Sequence, residues 1–204
     1  MKKINIDTKQ THFIGCWNLE NNNLCKEIIS FFENNRSLQT PGASGMGLNP
    51  KIKKTTDIRI IPNDLQKTEF RIFNQYISEL HKCFLDYQNQ WSFLKTMIKK
   101  IDIPAFNIQK YSEGGHFASL HSERTTLNTL HRLFAWMTYL NDVDDSDGGK
   151  TNFSHYGIKI KPEIGKTLIW PAEWTHAHTG EILKNGTKYI VTGWMHFPTS
   201  EPKE

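Results

Sequence analysis

The chain has 204 residues, 37% of them hydrophobic, and a formal net charge of +4, which fits one folded domain over 1–204. Because the lysines are spread through the sequence, they favour a solvated surface over a nucleic-acid-binding face. No apolar run approaches the ~18 residues of a membrane span, and the first ten residues lack the apolar core of a signal peptide. The three cysteines form no CxxC pair. We therefore expect a cytoplasmic protein without a membrane or nucleic-acid partner.

The first half of the chain, residues 1–103, predicts a helical support. A strand is expected at 12–19 and a helix at 24–34, capped by Asn22 or Asn23. The strongest helix signal covers 66–90, and a short helix is expected at 93–100. Within 66–90, large apolar residues recur at three- and four-residue steps, at Phe70, Phe73, Ile77, Leu80, Phe84 and Leu85.

Residues 36–56 differ in composition from their surroundings and predict a long segment without regular structure. Glycine, proline and serine interrupt this segment repeatedly, at Pro41, Gly42, Ser44, Gly45, Gly47 and Pro50. A loop of this length is uncommon inside a compact domain and is often functional. Two interpretations stay open, a lid over a substrate and a surface loop. A strand is expected directly after it, at 57–61.

The second half of the chain changes to short strands separated by turn residues. They are predicted at 107–111, 116–122, 133–140, 150–153, 157–160, 167–170 and 188–197. Many short strands after a helical start predict a mainly β fold with some α, in which a β-sandwich or barrel is backed by N-terminal helices. We expect 104–198 to form this β core, which carries the candidate catalytic residues described next.

His121 and Glu123 are candidate metal ligands, because residues two apart on a strand point to the same face. With a second histidine they would make the 2-His-1-carboxylate triad of non-haem Fe(II) oxygenases. His176 and His178 both qualify as that histidine, and strand parity does not separate them. A surface pair on an edge strand, or a zinc site, would also explain these residues.

Lys188 is a candidate anion-binding residue at the start of the last strand. Its parity places it on one face with Ile190, Thr192 and Trp194. A lysine inside a barrel needs a partner, and a bound carboxylate would supply one. The alternative is a lysine at a strand end that reaches to water.

A series of short motifs resembles the prolyl 4-hydroxylase-like Fe(II)/2-oxoglutarate dioxygenases, and their combination over 104–198 is specific. The resemblance implies a double-stranded β-helix core, which is jelly-roll and cupin-like. Residues 169–180 and 188–194 are similar to a branch found in marine phages and bacteria, which would place the protein in a bacterial cytoplasm. The motifs are Tyr111, Gly114-Gly115, Phe117, His121-Ser122-Glu123, Tyr139-Leu140-Asn141, 148–153, Pro162, Gly165, His178 and Gly186-Thr187-Lys188.

The resemblance also implies roles for single residues. It makes His121, Glu123 and His178 the iron ligands, with His178 preferred because Lys188 follows it by ten positions. His176 is then a neighbour of the site or a substitute ligand. Glu123 departs from the aspartate usual at this position, which lengthens the side chain by one C–C bond, roughly 1.5 Å.

The remaining site residues are assigned by the same resemblance. The side chains matching positions that contact 2-oxoglutarate are Lys188, Tyr139, Thr192 and Tyr111. Arg132 and Trp194 are candidate substrate contacts, and a surface charge beside His131 is the alternative for Arg132.

The implied function is hydroxylation of a C–H bond with Fe(II), O2 and 2-oxoglutarate, releasing succinate and CO2, with ascorbate as reductant. The favoured substrate is a prolyl or other residue in a peptide or protein. A free amino acid or small molecule is the alternative within the same chemistry. Two other classes stay open, a catalytically silent β-helix protein that binds metal or ligand and a structural phage protein. The sequence predicts no oligomeric state.

Overall fold

The computed structural model describes residues 11–45 and 47–198. The first ten residues, for which no signal segment is predicted, lie outside that part. Its α-helices are α1 (Asn22–Asn34), α2 (Arg71–Gln90) and α3 (Phe93–Met97). Its strands are β1 (Gly15–Asn18), β2 (Thr40–Pro41), β3 (Lys53–Lys54), β4 (Thr56–Ile60), β5 (Phe106–Tyr111), β6 (His116–His121), β7 (Arg132–Tyr139), β8 (Thr151–Phe153), β9 (Ile158–Ile160), β10 (Lys166–Pro171), β11 (His178–Gly180) and β12 (Lys188–His196).

The strands form two antiparallel sheets. The larger sheet has the order β1-β10-β7-β12-β5-β4-β2 and the smaller has the order β3-β6-β11-β8-β9. One hydrophobic cluster lies between the sheets, and a second lies between the larger sheet and the helices. This arrangement confirms the predicted double-stranded β-helix backed by helices. None of the helices formed by residues 11–45 and 47–198 is long and apolar enough to cross a membrane.

Strand β7 explains why the sequence at 133–140 is almost continuously apolar. Trp136 packs in the cluster on the helix side, whereas Tyr139 packs in the cluster between the sheets. A strand covered on both faces has no polar face. The neighbouring β12 alternates in the same way, with Val191 toward the helices and Ile190 between the sheets. Because side chains alternate with period 2, Lys188 shares the inner face with Ile190.

The predicted helices are present, but their starts and one of their buried positions differ from expectation. The residue that caps α1 is Asn21 rather than Asn22 or Asn23, because the Asn21 side chain accepts a hydrogen bond from the backbone N–H of Leu24. The helix therefore begins at Asn22. Helix α2 begins at Arg71 rather than residue 66, because 62–66 and 68–70 form tighter 3-10 turns. Leu85 is exposed, and Tyr76 and Tyr87 complete the buried face instead.

The expectation of a segment without regular structure at 36–56 is wrong at both ends. Strand β2 pairs with β4, and β3 pairs with β6, the strand that ends at His121. Backbone groups in this segment find partners on open sheet edges, which local composition does not reveal. At the base of the segment, the Lys53 ammonium lies 2.7 Å from the Asp57 carboxylate, and both residues are buried.

The Lys53–Asp57 pair leads to a stability prediction. The Asp57 carboxylate also accepts hydrogen bonds from Thr55 and Gln109, so Asp57→Ala would leave a buried ammonium unpaired. Breaking a buried pair in this way costs about 3–5 kcal/mol. We expect urea denaturation to show a loss of that size. Glu79→Ala is the matched control, since it breaks the exposed Lys82–Glu79 pair, which contributes about 1 kcal/mol or less. Equal losses in the two variants would contradict the assignment.

Candidate metal centre and cosubstrate site

Two neighbouring side chains, His121 and Glu123, and a third that is remote in sequence, His178, converge in the β core. Potential ligand atoms of His121, Glu123 and His178 all lie within 4.8 Å of one another. His121 ends β6 and His178 begins β11, and the two are direct partners in the antiparallel register. Glu123 follows β6 by two residues. In the part of the chain that the structure describes, this is the one group of histidine, cysteine and acidic side chains with metal-binding spacing.

Both imidazoles present the same ring nitrogen to the centre. The Nδ1 atom of His121 lies 2.8 Å from the Ser119 carbonyl oxygen, and that of His178 lies 2.9 Å from the His176 carbonyl oxygen. Donation from Nδ1–H to a carbonyl leaves each Nε2 as the metal-binding atom. Burial lowers the pKa of His178 well below its ordinary value, and the neighbouring His121 lowers it further. His178 is therefore neutral near pH 7, the form that binds a metal.

The two oxygens of Glu123 have different surroundings. Oε1 lies 3.5 Å from Nε2 of His178 and 4.0 Å from Nε2 of His121. Oε2 accepts a hydrogen bond of 2.6 Å from the indole Nε1–H of Trp194. The donor set is thus two imidazole nitrogens and one carboxylate oxygen, which is the set that suits non-haem Fe(II).

His176 faces away from this cluster. Its Nε2 lies 2.8 Å from the His12 carbonyl oxygen, and its Nδ1 lies 3.0 Å from the Thr175 hydroxyl. Its contact with the centre is made by the backbone, through the carbonyl that holds His178. The geometry therefore brings His178, and not the side chain of His176, to the other two candidate ligands.

Lys188 is almost fully buried on the inner face of β12, with 2% of its surface exposed. Its ammonium donates a 2.7 Å hydrogen bond to the Gly149 carbonyl and lies 4.1 Å from the centroid of the Tyr111 ring. It forms no ion pair with any residue in 11–45 or 47–198. Burial lowers the pKa of Lys188 to about 7, and the partly opposing effect of Glu181 is smaller. A buried amine without a carboxylate is a site that an anionic ligand would stabilise.

The three hydroxyl groups predicted near Lys188 already have protein partners. The Tyr139 hydroxyl donates a hydrogen bond to the Thr151 hydroxyl at 2.7 Å, and the Tyr111 hydroxyl donates to the Gln109 side-chain oxygen at 2.9 Å. The Thr192 hydroxyl donates to the Trp136 carbonyl at 2.9 Å. Tyr111 and Tyr139 both belong to the cluster between the sheets. They wall the same interior as Lys188, whereas Thr192 sits further along β12.

Arg132 and Trp194, the candidate substrate contacts, both contact Glu123. The Arg132 guanidinium stacks 3.7 Å from the centroid of the Trp194 ring. Its Nη1 donates a 2.9 Å hydrogen bond to the Glu123 backbone carbonyl. Arg132 is therefore not a surface charge beside His131.

Sequence reasoning missed the polar residues behind Tyr111. Gln109 accepts from the Tyr111 hydroxyl through Oε1 and donates to Asp57 through Nε2. Gln109 lies two residues before Tyr111 on β5, so strand alternation could have predicted that both face the same interior. No sequence pattern predicts Asp57, which lies opposite Gln109 on the neighbouring strand. The Gly149 carbonyl that meets Lys188 is a backbone group and leaves no side-chain signal at all.

Comparison with known proteins supports the same class. Residues 106–196 match the family model of the 2OG-Fe(II) oxygenase superfamily. Human procollagen-lysine,2-oxoglutarate 5-dioxygenase 2 is 29% identical over an alignment of 129 residues, and the alignment covers 57% of this chain and 17% of that protein. The chain thus spans less than a fifth of the length of this curated relative.

Two solved structures share the fold over most of their length. A viral collagen prolyl hydroxylase from Paramecium Bursaria Chlorella virus-1, in complex with 2OG, has a TM-score of 0.65 and 19% identity, covering 91% of this chain and 97% of that one. A Trichoplax adhaerens prolyl hydroxylase, in complex with a hypoxia inducible factor peptide fragment, has a TM-score of 0.69 and 14% identity, covering 91% and 84%.

The fold and the donor set agree with the family match, which covers fewer than half of the 204 residues: residues 106–196 resemble the 2OG-Fe(II) oxygenase superfamily. In fold, the chain is similar to the prolyl 4-hydroxylase-like members of that superfamily. The resemblance seen in the sequence is thereby confirmed.

Proposed function

We propose that this protein hydroxylates a C–H bond of a prolyl or other residue in a peptide or protein, using Fe(II), O2 and 2-oxoglutarate and releasing succinate and CO2. The observation that carries the proposal is the pairing of two features inside one β-helix. One is the His121, Glu123 and His178 cluster, and the other is the buried amine of Lys188.

Each residue has a defined task in this proposal. The imidazole Nε2 atoms of His121 and His178 and the Oε1 atom of Glu123 would hold Fe(II), which supplies the oxidative chemistry when bound. The Lys188 amine takes up a proton and binds the distal carboxylate of 2-oxoglutarate. Tyr111 and Tyr139 wall that carboxylate site, and Thr192 lies four residues further along the same strand. Enclosure between two sheets keeps water away, which strengthens the ion pair.

The loops next to the metal ligands favour a peptide over a small molecule. Residues 122–131 follow β6 and expose Leu127 and Leu130, and the turn before His178 exposes Trp174, which is 68% accessible. An Arg124–Glu173 ion pair joins these two loops. Large apolar side chains at a site opening are typical of a surface that binds another chain. A Trichoplax prolyl hydroxylase of the same fold is seen with a peptide fragment.

Succinate release tests the proposal. The protein is incubated with Fe(II), 2-oxoglutarate and ascorbate, alone and with proline-containing peptides, lysine-containing peptides, free proline or free lysine. We expect slow succinate release alone and faster release with at least one peptide, accompanied by a mass increase of one oxygen atom in that peptide. The Glu123→Ala variant serves as the control without turnover.

Two outcomes would contradict this proposal at different levels. Stimulation by a free amino acid but by no peptide would reject the substrate class. Failure to release succinate under any condition, together with failure to bind Fe(II), would favour a silent protein with the oxygenase fold.

A further inference from the structure

The carboxylate among the three candidate ligands is a glutamate, and the oxygen that points away from the two imidazoles already accepts a hydrogen bond. Trp194 Nε1–H donates to Oε2 of Glu123 at 2.6 Å, while Oε1 faces the two imidazoles. Hydrogen bonds to a carboxylate are short and strong because the acceptor is charged. The indole thus fixes which of the two oxygens can reach the metal.

The indole is itself held in place by Arg132. The guanidinium covers the ring at 3.7 Å from its centroid, and its Nη1 holds the Glu123 backbone carbonyl at 2.9 Å. One arginine therefore fixes the main chain of Glu123 and the orientation of the group that binds its side chain. Arg124 supports it in turn by donating two hydrogen bonds, at 2.9 and 2.6 Å, to the Arg132 carbonyl.

We propose that Trp194 and Arg132 form a carboxylate clamp, whose task is to hold Glu123 as a ligand that offers one oxygen. The proposal rests on the proposed function only in taking the His121, Glu123 and His178 cluster as the iron site. A carboxylate that offered both oxygens would occupy a further coordination position, one that the cosubstrate or O2 requires. Trp194 and Arg132 are thereby positioning residues that act through Glu123.

The clamp also explains how a glutamate works at this position. Because Arg132 fixes the Glu123 main chain, an aspartate here would draw the carboxylate back by about one C–C bond, roughly 1.5 Å. Such a shift would lengthen the 2.6 Å contact with the indole beyond hydrogen-bond range. The clamp is therefore fitted to the longer side chain, and its contribution should vanish when the side chain is shortened.

A double-mutant cycle on Mn(II) affinity tests the clamp without relying on activity. Free Mn(II) is measured by electron paramagnetic resonance for the unsubstituted protein, Trp194→Phe, Glu123→Asp and the double variant. Loss of a side chain that orients a metal ligand typically costs 10–100-fold in affinity, so we expect about that loss for Trp194→Phe. In the Glu123→Asp background we expect Trp194→Phe to change affinity by no more than about twofold, the scatter of independent sites.

Trp17→Phe is the matched control, since the Trp17 indole also donates to a carboxylate, that of Asp86 at 2.9 Å, and packs in the cluster on the helix side, away from the metal ligands. It should leave Mn(II) affinity unchanged. Arg132→Met should weaken binding in the same direction as Trp194→Phe, and thermal unfolding of each variant without metal identifies any loss of fold.

The clamp is refuted if Trp194→Phe binds Mn(II) as tightly as the unsubstituted protein. It is equally refuted if Trp194→Phe causes the same loss in the glutamate and aspartate backgrounds, because a general packing role would produce that result. If the unsubstituted protein binds no Mn(II), the metal centre itself is wrong and the clamp falls with it.

Discussion

Replacement of His121 or His178 by alanine is expected to abolish Fe(II) binding and succinate release, whereas His176→Ala should retain both. Each of the first two variants removes one of three side chains around a single centre. His176 contributes its backbone carbonyl to His178, and alanine keeps that carbonyl. The measurements are equilibrium Fe(II) binding without oxygen and succinate release from 2-oxoglutarate.

His176→Ala is also expected to destabilise the fold, because His176 is buried and hydrogen-bonded to His12 and Thr175. We expect a lower melting temperature with affinity for Fe(II) retained to within about tenfold, the lower end of effects from groups behind a ligand. The opposite pattern, in which His176→Ala loses the metal and His178→Ala keeps it, would show that the wrong histidine has been assigned.

Lys188→Met is expected to weaken 2-oxoglutarate binding by about 2–5 kcal/mol, the cost of removing one partner of a buried charge pair, or roughly 30- to 5,000-fold in Kd. Methionine fills much of the same volume, so the fold should be kept. The measurement is calorimetry with Mn(II)-loaded protein, and Lys110→Met on the partly exposed Lys110–Glu33 pair is the control. Unchanged affinity in Lys188→Met would remove Lys188 from the cosubstrate site.

The contribution of Lys188 to the free energy of unfolding should depend on pH in a defined direction. Burial lowers its folded-state pKa from the ordinary 10.5 to about 7, so the charged amine destabilises the folded protein. That penalty is fully present below pH 7 and fades as pH rises toward 10.5. Without 2-oxoglutarate, we therefore expect this group to make the protein more stable as pH rises through that range, and Lys188→Met to lose the effect.

Ligand binding should reverse this shift. A bound carboxylate favours the charged amine, so 2-oxoglutarate binding near pH 8 should draw in a proton. Calorimetry in buffers with different ionisation enthalpies measures that proton uptake, which Lys188→Met should abolish.

The parts of the fold that the sequence predicted are those with strong local periodicity. The apolar run at 133–140 and the three- and four-residue steps of α2 each reflect a surface that must be buried, so their element types were correct. The pairing of β2 with β4 and of β3 with β6 was missed because it depends on the open edges of other strands, which local composition does not reveal. The start of α2 was missed because 62–70 form 3-10 turns, which share the early part of a helical pattern.

The candidate site likewise has residues that the sequence predicted and contacts that it did not predict. The period of a strand placed His121 on one face, and motif spacing pointed to His178 and Lys188. The roles of Trp194 and Arg132 depend on where one hydrogen bond and one stacked ring fall in space. Linear spacing carries no such information, so the sequence did not predict the contacts of these two residues with Glu123. Their expected contact with substrate stays a prediction.

A crystal structure with Mn(II) and 2-oxoglutarate, grown without oxygen, tests the central claim most directly. We predict a metal bound by Nε2 of His121, Nε2 of His178 and Oε1 of Glu123, with the distal carboxylate of 2-oxoglutarate on the Lys188 amine. A metal bound by His176, or a cosubstrate that leaves Lys188 on the Gly149 carbonyl alone, would contradict the account.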